Sequence, residues 1–225
     1  MIQISNTETY GWEAAIRGMR NPMNSWDKSD SYFGPGYLED EDTYINNFIG
    51  ANDYDLMTRL RNAGTDHRKY MRMITVYCDI TAPLYWWKEF DTYKVGTVAN
   101  SCSTMHKIQA KEFTIDDFSH EHLIDTCLLE AVINELNIYR DIYNNYDKQT
   151  DEYKAEYSKK DIWWQMIQLL PSSYNQKRTV MMNYEVLANM YKSRKQHKLD
   201  EWRELCVWIE RLPYSKLITG DDVNN

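Results

Sequence analysis

The stretch Leu170-Pro171-Ser172-Ser173-Tyr174-Asn175-Gln176-Lys177-Arg178-Thr179-Val180-Met181-Met182-Asn183-Tyr184-Glu185-Val186-Leu187-Ala188-Asn189-Met190-Tyr191-Lys192-Ser193-Arg194, continued by Leu199-Asp200-Glu201-Trp202, sets a Leu-Pro turn ahead of a helix studded with polar groups. The spacing predicts a helix over 178–197. A period of about 3.6 residues from Asn183 puts Asn183, Leu187, Met190 and Arg194 on one face, and Glu185 with Asn189 on a neighbouring one. A core helix rarely needs that many amides and charges, so the face is a candidate ligand surface.

Outward from this segment, helices are expected at 199–211 and 161–168, and a long amphipathic helix at 123–143, where Leu129, Val132, Leu136, Tyr139 and Tyr143 recur at helical intervals. Residues 144–160 are almost entirely polar and read as an exposed connection or a solvated helical extension. Further back, Tyr70 to Ile80 alternates and is rich in β-branched residues, as a strand is. Pro83 opens a helix over the aromatic run Leu84 to Phe90. Residues 11–20 read as a short helix and the Asn, Ser, Gly and Pro-rich stretch to residue 42 as a loop. Helical spacing returns at Tyr44, Ile45, Phe48 and Ile49.

The chain has 225 residues and a mass of 27.0 kDa, enough for one sizeable domain, and a single domain over 1–225 is expected. Its formal charge of −8 and isoelectric point near 5.2 argue against broad binding to nucleic acid, which needs a basic surface. A pocket for one nucleotide remains compatible with that charge. No apolar run approaches the roughly 18 to 20 residues of a membrane span. The first residues lack the basic and apolar regions of a secretion signal, so a cytoplasmic location is the expectation. Cys78, Cys102, Cys127 and Cys206 form no C-x-x-C pair and read as reduced thiols.

The spacing of the opening segment resembles the ligand-binding helix of the flavin-dependent thymidylate synthases: L-P, then a stretch ending in N, then L-x-x-F/M and L-R, without a gap. A second signature of that family, R-H-R-x-x-S-x-N-E-x-S-x-R, follows the strand as Pro83 to Met105 follows it here. Laid on this chain, it puts Thr92, Tyr93 and Lys94 at R-H-R, Asn100 at the glutamate, Cys102 at the second serine and Thr104 at the last arginine. A further family arginine, four residues before the L-P turn, is Ile167. The turn Gly64-Thr65-Asp66-His67 loosely resembles the family's G-H-E-S/T.

The resemblance implies an α+β fold, a small antiparallel sheet packed with long helices. It implies a homotetramer with sites built between subunits, FAD as cofactor and a nucleotide as ligand. Asn183 and Asn189 would contact flavin, with Glu185, Tyr93 and Lys94 on the same cofactor surface. Arg194, the candidate catalytic group, would stabilise charge developing on a pyrimidine. Lys94, Cys102, Thr104 and Arg194 would face substrate. Phosphate wants charge-assisted, often bidentate donors, which Thr92, Thr104 and Ile167 do not supply. Uridylate methylation, with folate as carbon donor, is therefore expected to be absent or very slow. Two classes stay open: a flavin-dependent enzyme acting on a nucleotide, and a non-catalytic oligomeric scaffold or nucleotide-binding protein keeping the family fold.

Each candidate also has a plainer reading. An arginine late in a helix usually meets the dipole or a carboxylate, and Asn183 or Asn189 can be bonded to backbone or to solvent. Trp86, Trp87 and Phe90 are expected at a subunit interface. Asp116, Asp117, His120 and His122 crowd as metal sites do, but read as caps and solvated groups. No metal site is expected, and Cys102 has no base beside it in sequence.

Overall fold

The strand read at residue 70–80 and the strand hidden in 175–183 are the centre of the fold. The computed structural model describes residues 2–37 and 44–220. In chain order the elements are β1 (Gln3–Tyr10), α1 (Trp12–Arg20), β2 (Tyr32–Tyr37), β3 (Tyr44–Phe48), α2 (Ala51–Asn62), β4 (Thr75–Pro83), α3 (Leu84–Phe90), β5 (Val98–Ser101), α4 (Cys127–Asn144), α5 (Asp151–Glu156), α6 (Lys159–Leu169), β6 (Asn175–Asn183), α7 (Tyr184–Arg194), α8 (Asp200–Glu210) and α9 (Lys216–Thr219). The architecture is α+β: an antiparallel sheet in the order β1-β4-β6-β5 and a separate two-stranded sheet, β2-β3.

β4 and β6 are antiparallel neighbours, and each runs into a helix with no loop between. At their middle the Thr179 hydroxyl donates to Asp79 Oδ1 at 2.6 Å. At one end Leu84 N donates to the Tyr174 carbonyl and at the other Tyr184 N donates to that of Ile74, both at 3.0 Å. The first helical amide of each strand-helix step is thus satisfied by the chain just ahead of the other strand, which supplies a partner that an uncapped helix start lacks.

Contacts divide the chain into two compact units, each drawn from separated stretches. One comprises 1–5, 79–92 and 99–179. Its core gathers Ile108, Phe113, Phe118, Leu129, Ile133, Leu136 and Met166 from α4, α6 and the segment before them. Trp86, Trp87 and Phe90 are also buried in this unit, at 0–2% exposure. They stack edge-on and tilted on one another, and Trp87 Nε1 donates to the Gln176 carbonyl. The interface expected for these three is corrected: side chains buried within one chain cannot line a subunit surface.

The other unit comprises 6–78, 93–98 and 180–225. Met57, Met71, Ile74, Val76, Val180, Met182, Tyr184, Leu187, Met190, Trp202, Leu205 and Ile209 are among its fully buried residues. Buried among them, Arg20 Nε donates to Asp53 Oδ1 at 2.6 Å, while Asp53 Oδ2 accepts from the Ser29 and Ser31 hydroxyls and the Ser31 amide. The pair is tolerated in a dry environment because each carboxylate oxygen has a donor.

Other boundaries move. The helix expected from 178 begins at Tyr184, because Asn175–Asn183 is a strand with Gln176, Val180 and Met182 buried in alternation with more exposed neighbours. The stretch Tyr32–Tyr37, expected as loop, pairs antiparallel with Tyr44–Phe48, expected as helix. The intervening 38–43 lie outside the described residues. Residues 144–160 hold α5, whose start is capped by the Thr150 hydroxyl accepting from Tyr153 N.

Candidate functional site

Asn183 ends β6 in an extended conformation, and its side-chain carbonyl accepts from Val186 N at 2.9 Å. It is the N-cap of α7. The turn Tyr93–Val98 comes to lie on this cap. Gly96, at φ +85°, is so near that a Cβ there would stand 2.8 Å from Asn183 Nδ2 and 3.8 Å from Val186 Cβ. A larger residue would meet both a left-handed backbone and a side chain in its way. The turn is closed on itself by the Thr97 hydroxyl, which donates to the Tyr93 carbonyl at 2.7 Å.

The same turn supplies Tyr93 to the last turn of α7. Arg194 Nε donates to the Tyr93 hydroxyl at 3.0 Å. Its guanidinium lies 4.6 Å from the Trp202 ring centroid and 5.6 Å from that of Tyr93, and the two rings meet edge-on at 5.8 Å. A planar guanidinium can stack on aromatic rings and donate from its edge at the same time. Arg194 is half-buried. Between cap and end, Leu187 and Met190 face the core at 0% exposure, so the face expected for ligand is interrupted by two residues committed to packing.

Glu185 and Asn189 form a second group. Glu185 accepts from Arg72, and Arg68 Nε stands 3.5 Å from its Oε1. Arg68 also donates through a terminal nitrogen to Asn189 Oδ1 at 3.0 Å. Both arginines come from the 3-10 turn Arg68–Arg72. Two guanidiniums share the Glu185 carboxylate, with the charge of Asp66 also acting on Arg72, and Arg68 Nε is buried without a hydrogen bond. The Glu185 carboxylate raises the pKa of Arg72 through its hydrogen bond and charge. Sequence reading passed over these two arginines; their i, i+4 spacing just after the Gly64 turn was the available signal.

The remaining candidates are placed as follows. Lys94 is exposed on the Tyr93–Val98 turn. Cys102 and Thr104 belong to the other unit. There Cys102 is exposed, its amide donating to the Lys177 carbonyl and its carbonyl accepting from Gln176 Nε2. Ile167 packs on that unit's apolar cluster, and the Thr92 hydroxyl donates to the Glu89 carbonyl. Neither offers charge to a phosphate. Arg178 is ion-paired to Asp91 at 2.8 Å and stacked 4.1 Å from the Trp87 ring. Asp117 forms a capping box with Thr114.

The fold thus defined, with strands feeding directly into α3 and α7, is that of the flavin-dependent thymidylate synthases. Thymidylate synthase X from Helicobacter pylori, solved with FAD and dUMP, superposes with a TM-score of 0.66 at 14% identity, over 97% of this chain and 98% of that one. A second structure of the Helicobacter pylori enzyme, also complexed with FAD and dUMP, gives 0.63 at 16% identity over 96% and 98%. No protein-family model and no curated protein matches the sequence. Among the described residues no helix is long and apolar enough to cross a membrane.

Proposed function

We propose that α7 and the turns packed on it form a binding site for a flavin or a nucleotide, in a diverged relative of the flavin-dependent thymidylate synthases that does not methylate uridylate. The observation that carries this reading is the gathering of Arg68 and Arg72 at Glu185 and Asn189, with Arg68 Nε buried and without a hydrogen bond. An anionic ligand would complete the coordination of the buried Arg68 Nε. Asn183, Glu185, Asn189, Tyr93 and Lys94 would hold a flavin, whose chemistry when bound is hydride transfer. Arg194 and Lys94 would face the nucleotide, in a homotetramer whose subunits share the site. The two solved relatives in fold hold FAD and dUMP, which supports the ligand class.

Thr92, Thr104 and Ile167 argue against uridylate methylation, since binding of the phosphate is what positions a base for attack. A second reading, a non-catalytic member of the fold, is favoured by the partners that Asn183 and Arg194 already have within the chain. Titration of the purified protein with FAD and with dUMP separates the two. Arg68→Ala and Arg194→Ala should each weaken binding at least several-fold under the first. Binding unchanged in both would leave only the scaffold.

A further inference from the structure

A cavity of about 340 Å³ lies in the first unit, among α4, α5 and the first turns of α6. Tyr139, Tyr153, Tyr157, Asp161, Ile162 and Gln165 line it. Its frame is fixed at several points: the Tyr146 hydroxyl donates to the Tyr157 carbonyl at 2.7 Å, and the Tyr157 amide to that of Tyr153 at 2.8 Å. Thr150 caps α5 and Ser158 caps α6. The Tyr153 and Tyr157 rings stand 5.3 Å apart, inclined at 48°, so they form a corner and not a flat stack. Ile162, from the start of α6, is buried. The charge around these rings is negative. Hydrogen bonds from the Ser158 hydroxyl and amide hold the Asp161 carboxyl below its ordinary pKa, so it is ionised at neutral pH. Burial, with a hydrogen bond from its hydroxyl to Glu135 and the charge of that carboxylate, raises the pKa of Tyr139. Tyr157 is raised by its hydrogen bond to Glu156 and by that group's charge.

We propose that this cavity is an aromatic cage for the quaternary ammonium group of a small organic cation. Phenol rings gathered around a small space attract a cation through their electron-rich faces, and a neighbouring carboxylate adds to that field. No lysine or arginine is among the described residues of the lining. The nearby ammonium groups are engaged elsewhere: Lys154 Nζ donates to the Asp147 carbonyl at 3.3 Å and stands 3.6 Å from Asp151 Oδ1, and Lys159 Nζ lies 4.9 Å from the Tyr143 ring centre. The charge of Lys160 acts on Asp161 from outside the lining. A primary ammonium would need an acceptor for each of its three N–H groups. Here Asp161 already accepts from Ser158, the phenols of Tyr139 and Tyr157 are turned to Glu135 and Glu156, and Gln165 Nε2 donates to the Asp161 carbonyl. A methylated nitrogen asks for no hydrogen bond and meets the rings with its methyl groups. The volume is at the lower end of small-molecule sites, as a compact cation requires. None of these residues belongs to the α7 group, and an anionic flavin or nucleotide would be repelled here by the carboxylates.

The test is calorimetric titration of the full chain, at constant ionic strength, with choline, with its uncharged carbon isostere dimethylbutanol, and with ethanolamine. Choline is expected to bind saturably and more tightly than either of the others, since the isostere lacks the charge and ethanolamine lacks the methyl groups. Tyr157 is exposed, so its variants should keep the melting temperature of the parent. Tyr157→Phe retains a ring face and should bind choline within about twofold of the parent, while Tyr157→Leu should weaken it about threefold or more. Tyr153→Leu, on the other side of the corner, should weaken it likewise. Choline binding that is absent, no tighter than that of the alcohol or of ethanolamine, unchanged in Tyr157→Leu, or weakened equally by Tyr157→Phe and Tyr157→Leu would overturn the proposal. None of these results bears on the α7 reading, which stands or falls on the effect of Arg194→Ala and Arg68→Ala on flavin and nucleotide binding.

Discussion

Asn183 shows how one residue can carry both of the readings that sequence allows. Its amide caps α7 through Val186 N, and that role alone explains an asparagine at a strand-helix junction. Asn183→Ala should cost about 1 kcal/mol of stability, the usual loss of a cap, measured by denaturant unfolding. Gly96→Ala should cost at least as much, because it adds a Cβ 2.8 Å from the Asn183 amide in a left-handed turn. If Gly96→Ala were neutral, the Tyr93–Val98 turn would not be held against α7 as described.

Asp53 gives the protein an acid limit. Burial alone would raise its pKa, but hydrogen bonds from Ser31, Ser29 and Arg20, with the charge of Arg20, outweigh burial and hold it below the ordinary value. A depressed folded pKa means that the stabilisation is complete above the unfolded carboxylate pKa of ~4 and is lost as pH falls through the lower folded value. Asp53→Asn should therefore be less stable at neutral pH, and its stability should fall less steeply in acid. Unfolding curves between neutral pH and pH ~3 check this; parallel slopes for parent and variant would assign the acid limit elsewhere.

At the scale of elements, what the sequence disclosed depended on how well each segment's pattern agreed with its packing. α1 and α4 were visible because their buried residues recur at helical spacing: Ala15, Ile16 and Met19 in one, Leu129, Ile133 and Leu136 in the other. β4 was visible through its alternation. β6 was hidden because Val180, Met181 and Met182 form an unbroken apolar run followed by a helical pattern, and methionine is at home in a helix. β1 escaped altogether: at the end of the sheet order its residues are mostly exposed and polar, leaving no alternation to read. The Leu-Pro turn was right for a physical reason, since a proline at 171 stops α6 at Leu169. Of the site, the family spacing pointed to Asn183, Asn189 and Arg194. It could not reveal Trp202 stacked on Arg194 or Arg68 at Asn189, contacts set by tertiary packing.

The element that organises the candidate site is the β6–α7 step, where the Tyr184 amide donates to the Ile74 carbonyl. Tyr184 is fully buried, its hydroxyl donating to the Pro213 carbonyl at 2.6 Å and its ring edge-on to Trp12 at 5.0 Å. Tyr184→Ala should destabilise by about 3–5 kcal/mol, as large aromatic truncations in cores do. A loss below 1 kcal/mol by thermal unfolding would mean that this step is not integral to the core.

For the whole molecule, the eight Trp and 18 Tyr are partly accounted for by burial within each unit, so the aromatic content is a weaker argument for association than the sequence suggested. The expectation of a homotetramer now rests on the kinship of fold and on exposed apolar residues such as Ile124 and Leu128, at 104% and 78% exposure. Light scattering on dilute protein should give four times the chain mass of 27.0 kDa; a monomer would remove the basis for a site shared between subunits. Thymidylate formation with FAD, a reductant, methylene-folate and dUMP is expected to be absent or very slow, because Thr92, Thr104 and Ile167 stand where the family resemblance would place phosphate-binding arginines.

The most direct measurement is FAD binding by the purified protein, followed through quenching of flavin fluorescence, in the parent and in Arg68→Ala and Arg194→Ala. Saturable binding in the parent, weakened at least several-fold in each variant with melting temperatures nearly unchanged, is the result predicted here. Absence of binding by both FAD and dUMP in the parent, together with a large loss of stability in Arg194→Ala, would contradict the account and make Arg194 a structural partner of Tyr93 and Trp202.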